Sequence, residues 1–370
     1  MSDDSVDQSR ADSRIPADGL DTYLRCPRQY EFAHVYGLER DDDAVDERVD
    51  LLRRSICAAL ESGETDAEAL GEVARTRLSS LWEDHDERFH SRAQRRHERN
   101  VLEATLEAYV SRVGADHAAG IDVLASTADV DGALVGPDRT LSSRVSASPP
   151  AAPSEPSSSA DANRESGSRT VSRCEPRSVA IEASVDYVYG EGSSIVGVRF
   201  VPTLAPLGPL RYRSEWDGDV AALFEDHFDP DAAAFEPGPV GALLETAVVL
   251  EGLRTLRDRL GLEGRTCRFV VIPLADRSGT SVNWVSESVE TSLEIVDLTD
   301  VYIDHHTYGM THEHRNETVE TRLETVAAQL VSDGFDPSDR WDDIERTVCP
   351  DCAYAVCCQE RIATEVRFDG

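Results

Sequence analysis

The chain has 370 residues, 40% of them hydrophobic, which is enough to bury one large core or two modest ones. Its 71 acidic residues outnumber 37 basic ones, and every basic residue is an arginine, so the net charge is −34. This lysine-free, acidic composition fits a protein that works in molar intracellular salt, where the Debye length is about 3 Å. Because charge is screened at that distance, the negative total does not exclude DNA as a partner.

The sequence also limits where the protein acts. No apolar run approaches the roughly 20 residues of a membrane helix, and the N-terminus, MSDDSVDQSRADSR, is too acidic for a signal peptide. We therefore expect a cytoplasmic protein with no membrane partner. Eight cysteines in a reducing compartment favour metal ligation over disulfide bonds.

The N-terminal half is predicted to be helical. After a disordered tail over residues 1–16, residues 17–135 form the helical part, which begins with two helices separated by a break at Cys26 and Pro27. Three further amphipathic helices follow, and the segment IDVLAST is then predicted to be a strand.

The composition changes abruptly in the middle of the chain. Residues 136–178 are rich in Ser, Pro and Ala without periodicity, which predicts a disordered insert. Residues 179–370 open with a β-hairpin, VAIEASVDYVYGEGSSIVGVRFVPT, whose turn is Gly-Glu-Gly-Ser. A long helix, a buried strand (CRFVVIPL), a strand pair near SVNWV and LEIVDL, and a last helix are predicted to precede the cysteine-rich end.

That end carries the pattern C-x2-C-x5-C, formed by Cys349, Cys352 and Cys358. Three thiolates are one short of the four that a zinc site or a [4Fe-4S] cluster requires. Cys357 is the local candidate for the fourth, and Cys26 is the distant one. Adjacent cysteines rarely reach one metal because successive side chains diverge. A local zinc knuckle that includes Cys357, and plain buried thiols, remain as alternatives.

The two cysteine segments resemble a known family. LDTYLRCPRQYEFAHVYGL and SDGFDPSDRWDDIERTVCPDC, with the terminal C-x2-C-x5-C, are similar to the iron-sulfur frame of RecB-type nucleases in the PD-(D/E)XK superfamily. The resemblance is closest to the branch of the AddB helicase-nuclease subunit and the CRISPR-associated exonucleases. It implies an α/β fold with a mixed sheet flanked by helices, as in restriction endonucleases. It also implies a [4Fe-4S] cluster that joins the terminal segments through Cys26, Cys349, Cys352 and Cys358.

Members of this superfamily cut DNA with carboxylates that hold Mg2+ or Mn2+, assisted by a lysine. The resemblance assigns Asp186, in the hairpin, as the first carboxylate. It places Gly197 where the second acid belongs and Arg199 where the lysine belongs. Glu182 lies on the same strand face as Asp186, so the two could still share a cation.

The other family motifs are also altered. The histidine position falls on Cys57, and the Q-x3-Y motif falls on Glu245 and Val249, so one of five catalytic positions matches. Arginine is a poor replacement for a catalytic lysine because it stays protonated. Arg199 can nevertheless bind a phosphate group of DNA. We therefore expect a decayed catalytic site. An active metal-dependent exonuclease with a rearranged site, and a metal-stabilised scaffold with no nucleic-acid role, are the alternatives.

An arginine-rich helix is the remaining candidate for DNA contact. In HSRAQRRHER, four arginines recur at i, i+3, i+4 and i+7, namely Arg92, Arg95, Arg96 and Arg99. They form a phosphate-binding face in one interpretation, and in the other a solvated face balanced by Glu83, Asp84, Asp86 and Glu87. The segment DHHTYGMTHEH also offers a histidine-based metal site at His305, His306, His312 and His314.

Together these features predict a nuclease-like iron-sulfur protein of DNA repair or recombination. Its expected partners are DNA, single-stranded or at ends, and a helicase or repair subunit. Mg2+ or Mn2+ is expected only if the protein is active.

Overall fold

The computed structural model describes residues 14–38, 44–127, 134–147, 177–215, 219–283, 288–303 and 315–365. The helices are α1 (Ala17–Arg25), α2 (Pro27–Tyr30), α3 (Ala44–Glu61), α4 (Ala67–Asp84), α5 (Arg92–Tyr109), α6 (Ala115–Thr127), α7 (Val220–Phe228), α8 (Pro237–Arg259), α9 (Leu298–Tyr302), α10 (Glu317–Val331), α11 (Trp341–Thr347) and α12 (Gln359–Glu365). The strands are β1 (Arg14–Pro16), β2 (Val135–Ala147), β3 (Arg177–Glu191), β4 (Ser194–Val201), β5 (Thr266–Pro273), β6 (Thr280–Asn283), β7 (Ser288–Thr291) and β8 (Val296–Asp297).

The main sheet is mixed, and helices flank it, as expected for the fold class. Strand β3 is its centre: it pairs antiparallel with β2 and β4, and parallel with β1. Strand β4 continues the sheet with β5 in parallel, and β8 closes it antiparallel to β5. Strands β6 and β7 form a separate two-stranded sheet.

Helix α8 is the central helix of the core. Most of its 23 residues are buried, because it packs against α1 on one side and against the strands of the sheet on the other. Its Gly252 permits this packing, since a Cβ there would lie 2.6 Å from Leu141 Cβ on β2. A helix that is apolar on nearly all sides is typical of such a buried position.

Two local predictions are confirmed. The hairpin consists of β3 and β4, and its turn contains Gly192 at φ +53°, a conformation that glycine adopts without steric cost. The break between the first helices lies at Cys26, which is extended (φ −162°, ψ 116°) and is followed by Pro27 at the first position of α2. A π-helical turn, Glu31–Val35, extends α2.

Parts of both segments that were predicted to be disordered form strands. Residues 14–16, assigned to the tail, form β1. Residues 136–147, assigned to the insert, belong to β2, so that prediction is wrong there; residues 148–176 lie outside the described part of the chain. Strand β2 alternates buried and exposed residues, but its small and polar side chains conceal this pattern in the sequence.

Two strand predictions are also wrong. IDVLAST is the end of helix α6, in which Ile121 and Leu124 are buried at helical spacing, and its β-branched residues gave the misleading signal. The pairing predicted for SVNWV and LEIVDL is wrong, although both segments contain strand residues: among the described residues, the first contributes to β6, which pairs with β7, and the second contains β8, which pairs with β5. No described helix has the length and apolar content that a membrane crossing requires.

A buried polar cluster ties α5 and α6 to β3. His117 Nδ1 lies 2.6 Å from the Tyr187 hydroxyl, which accepts a hydrogen bond of 3.0 Å from the Tyr109 hydroxyl. Both tyrosines are at most 1% exposed, and His117 is 5% exposed. Burial lowers the pKa of His117 from 6.5 to about 4, so the imidazole is neutral in the folded protein.

This cluster predicts loss of stability in mild acid. The unfolded chain takes up a proton at His117 near pH 6.5, whereas the folded chain resists it until about pH 4, so stability falls as the pH drops through that window. The loss attributable to this group reaches about 3 kcal/mol at the acid end, at 1.36 kcal/mol per pKa unit. Denaturant unfolding in molar KCl at pH 7 and pH 5 measures it. The stability difference between wild type and His117→Gln should shrink at pH 5, and a constant difference would contradict this; the exposed His90→Gln is the control.

Candidate functional site

The structure brings the two ends of the chain together at the cysteines. Cys26, Ile344 and Cys349 form a small apolar cluster separate from the main core. Cys26 and Cys349 are 6% and 8% exposed. The cluster is surrounded by partly buried apolar side chains of Phe235, Trp341 and Val348.

The pKa of the Cys26 thiol depends on its burial and on its neighbours. Burial raises the pKa of the Cys26 thiol to about 11, and the nearby Cys349 and Cys352 sulfurs add to the shift. The backbone N–H groups of Gln29 and Arg28, at the start of α2, donate to Cys26 Sγ and act in the opposite direction. Amide donors so placed stabilise a thiolate, which is the form that binds a metal.

Cys358 has a similar environment at the start of α12. Burial raises its pKa, and the backbone N–H of Arg361 opposes the shift. The pKa of Cys349 is also raised, first by burial and then by Cys352 and Cys358. Cys357 differs, because it is exposed and its Sγ donates to the Tyr354 carbonyl at 3.3 Å.

The four predicted ligands therefore share one neighbourhood, but they do not form a closed ligand set. Among the described residues, no three His, Cys, Asp or Glu side chains are arranged to hold a metal ion. Cys358 Sγ is instead hydrogen-bonded to Glu360 Oε2 at 3.4 Å. The chemistry of the four soft donors fits an iron-sulfur cluster, and the amides at Cys26 and Cys358 fit thiolate ligands.

Other contacts already hold the terminal segments together. The Arg28 guanidinium pairs with Glu360 at 2.7 Å. The Tyr354 hydroxyl donates to the Leu38 carbonyl at 3.0 Å, and the Tyr23 hydroxyl donates to the Gly334 carbonyl at 2.8 Å. Residues more than 300 positions apart are thus in contact around the cysteines.

A second feature is a polar cleft of about 520 Å³ between α3 and the strands β2, β3 and β4. Glu182 and Ser184 of β3 line it, and Asp186 lies on the same strand face, as the alternation predicts. Glu182 is paired with Arg14 at 3.1 Å. The charged side chains that line the cleft are Asp18, Asp46, Arg53, Asp138, Glu182 and Arg199.

Asp186 is completely buried, and both of its oxygens are occupied. Arg53 Nε of α3 donates to Oδ1 at 2.7 Å, and the Phe200 backbone N–H donates to Oδ2 at 2.7 Å. Burial raises the pKa of Asp186, while Arg53 and the Phe200 amide oppose the shift. Cys57, one helical turn after Arg53, donates from Sγ to the Asp186 carbonyl at 3.7 Å.

The other assigned positions have different environments. Arg199 forms an ion pair with Glu245 of α8, and burial lowers the pKa of Arg199. Val249 is buried in the core. Gly197 packs against α8, where a Cβ would lie 3.2 Å from Leu253 Cδ1, so a larger residue there would require the Leu253 side chain to shift.

These residues do not fit a divalent cation. Mg2+ and Mn2+ need several oxygen ligands with free lone pairs, preferably from more than one carboxylate. Asp186 has both oxygens engaged and no exposed surface, and Gly197 supplies no oxygen from a side chain. No metal-dependent cleavage step follows from this geometry.

No protein-family model matches the chain, and no curated protein matches it. The resemblance to RecB-type nucleases therefore rests on the sequence motifs alone.

The arginine-rich segment is helical, as predicted, and forms the first turns of α5. Arg92, Arg95 and Arg96 are exposed, and Arg99 is partly buried. Arg95 lies over the Trp82 ring at 5.8 Å, and Arg99 Nε pairs with Glu103 at 2.7 Å. Of the acids expected to balance this face, Glu87 binds Arg48 and His85. The four histidines His305, His306, His312 and His314 lie outside the described residues.

Two site residues were missed by the sequence interpretation. Arg53 is one turn before Cys57 on α3, so its helical spacing from the assigned position was the available signal. Asp138 was hidden because it fell within the predicted disordered insert. Arg53 Nη2 donates to Asp138 Oδ1 at 2.7 Å, which places Asp138 beside the cleft.

Proposed function

We propose that this protein is a RecB-type nuclease-like iron-sulfur protein of DNA repair or recombination, which binds DNA or a helicase subunit without cutting. The observation that carries the proposal is the packing of Cys26 against Cys349, with Cys352 and Cys358 nearby. Two segments that resemble the family's iron-sulfur frame thus meet in space although they are far apart in sequence. Two unrelated cysteine segments would not be expected to lie next to each other in the fold.

The cluster would have a structural role. A [4Fe-4S] cluster bound by Cys26, Cys349, Cys352 and Cys358 would lock the terminal segments together and restrict the unfolded chain. The existing Arg28–Glu360 pair would hold the same segments before the cluster is inserted.

The cleft supports binding without cleavage. It keeps one family carboxylate, Asp186, and fills the remaining positions with groups that cannot hold a metal or activate water: Gly197, the paired Arg199 and the thiol of Cys57. Cleavage of DNA with Mn2+ that disappears in Asp186→Ala would overturn this part of the proposal.

The surface of α5 is the proposed contact with DNA. Exposed Arg92, Arg95 and Arg96, with Arg99, can follow a phosphate backbone at short range even in high salt. At molar salt such close contacts matter more than the net charge of −34.

Charge reversal on α5 is expected to weaken DNA binding. The quadruple variant Arg92→Glu, Arg95→Glu, Arg96→Glu and Arg99→Glu should reduce affinity for single-stranded DNA and DNA ends at least about tenfold in KCl. The plot of log K against log [KCl] has a negative slope, and its magnitude should decrease by about one for each lost phosphate contact. Fluorescence anisotropy over a KCl series measures both quantities.

The control reverses four exposed arginines elsewhere, Arg54, Arg77, Arg144 and Arg259, and gives the same change in net charge. Equal loss in both variants would show a non-specific charge effect and would contradict the α5 surface. If wild type binds neither DNA ends nor a purified helicase subunit, the proposed function fails and a metal-stabilised scaffold remains.

A further inference from the structure

We infer that the Arg53 guanidinium occupies the position in the cleft where a divalent metal ion would otherwise bind. It bridges two carboxylates that come from different strands, Asp186 of β3 and Asp138 of β2. The cleft is therefore closed to Mg2+ and Mn2+ by a side chain of the protein itself.

The geometry is that of a bridging cation. Arg53 Nε lies 2.7 Å from Asp186 Oδ1, and Arg53 Nη2 lies 2.7 Å from Asp138 Oδ1. The Arg53 side chain is 18% exposed and Asp186 is 0% exposed, so the Arg53–Asp186 pair is largely removed from water. One planar guanidinium thus satisfies two carboxylates through separate N–H groups, which a lysine ammonium would do with less directional control.

The backbone of β2 has an unusual conformation at Asp138. The register of β2 against β3 shifts between Val135 and Arg139, so the pairing is interrupted at Asp138. Asp138 itself has φ +63°, in the left-handed region that costs a non-glycine residue conformational energy. Its carboxylate contacts Arg53, so the strained residue contributes directly to the bridge.

The charge balance explains why the bridge persists. Burial alone would lower the pKa of Arg53, but Asp186 and Asp138 raise it above the ordinary value, so the guanidinium remains charged. A buried carboxylate such as Asp186 requires a positive partner or a proton. Arg53 provides that partner permanently, without a dissociable ion.

The inference concerns the cation and is independent of DNA binding. The test is a titration of the full chain with Mn2+ in molar KCl. The electron paramagnetic resonance signal of free Mn2+ measures how much Mn2+ is bound. Wild type and Asp186→Asn should bind the same amount of Mn2+. Arg53→Ala should gain one site that the double variant Arg53→Ala, Asp186→Asn lacks, and Mn2+ should raise its melting temperature more than that of wild type.

The matched control is Arg54→Ala, which removes the adjacent exposed arginine and should behave as wild type. A wild-type Mn2+ site that disappears in Asp186→Asn would overturn the inference, and so would a folded Arg53→Ala that gains no site. If Arg53→Ala does not fold, Arg53→Gln takes its place, and the comparison of wild type with Asp186→Asn decides the question without it. If wild type does not bind DNA, that result counts against the proposed function but does not affect this inference.

Discussion

Cys26→Ser is expected to abolish the proposed iron-sulfur cluster and to destabilise the whole chain. Anaerobically purified wild type should contain about four iron and about four sulfide ions per chain and should have a broad absorption band at about 400 nm. Cys26→Ser and Cys349→Ser should lose this absorbance. Because the cluster would join residues far apart in sequence, its loss should also cost several kcal/mol of unfolding free energy. Iron and sulfide analysis with denaturant unfolding measures both effects.

Cys357→Ser is the matched control. Cys357 adjoins Cys358 in sequence, but it is exposed and its thiol donates to the Tyr354 carbonyl, so its removal should leave the iron content unchanged. Stoichiometric zinc without iron would contradict the cluster. Iron retained in Cys26→Ser but lost in Cys357→Ser would instead indicate a local site at the C-terminal end.

Arg53→Ala is expected to cost about 3–5 kcal/mol of unfolding free energy at neutral pH, the usual cost of leaving one partner of a buried ion pair alone. The residue left behind is Asp186, which is 0% exposed and would keep its hydrogen bond from the Phe200 amide but lose the ion pair with Arg53. Burial raises the pKa of Asp186, so protonation should relieve the unpaired charge and the deficit should narrow as the pH falls towards 4. Denaturant unfolding in molar KCl between pH 7 and pH 4 measures the difference.

Arg54→Ala provides the comparison at the next residue. Arg54 is exposed and pairs with Asp50 at 3.3 Å on the helix surface, so its removal should cost less than about 0.5 kcal/mol. The double variant Arg53→Met, Asp186→Asn should recover much of the lost stability, since the neutral amide needs no cation and its oxygen can still accept the hydrogen bond from the Phe200 N–H. Equal effects of Arg53→Ala and Arg54→Ala would refute a buried bridge.

The local structure of the cysteine segments could be predicted because their signals are short-range. Pro27 cannot donate a hydrogen bond from its nitrogen and fixes the start of α2, so the break at Cys26 follows from two adjacent residues. The hairpin likewise follows from its β-branched strands and the glycine turn. The difference between Cys357 and Cys358 was expected from the divergence of adjacent side chains, and the structure separates their environments in that sense.

The errors arose where local composition and tertiary packing disagree. Strand β2 is rich in serine and arginine, yet it pairs with β3 along ten residues of each strand and buries one face against the core. IDVLAST carries β-branched residues, but it continues a helix whose Ile121 and Leu124 pack inward. In both cases burial against a neighbouring element outweighs a propensity of about 1 kcal/mol or less.

The sequence by itself determined which residues are the candidates for a site: four cysteines in two segments, one carboxylate in a hairpin, and no lysine to act beside it. Only the tertiary structure decided how that carboxylate is neutralised. Arg53 and Asp186 are 133 residues apart, and Asp138 is 85 residues from Arg53. A charge buried in a core must find its partner among residues that packing brings near, and no local pattern encodes that choice.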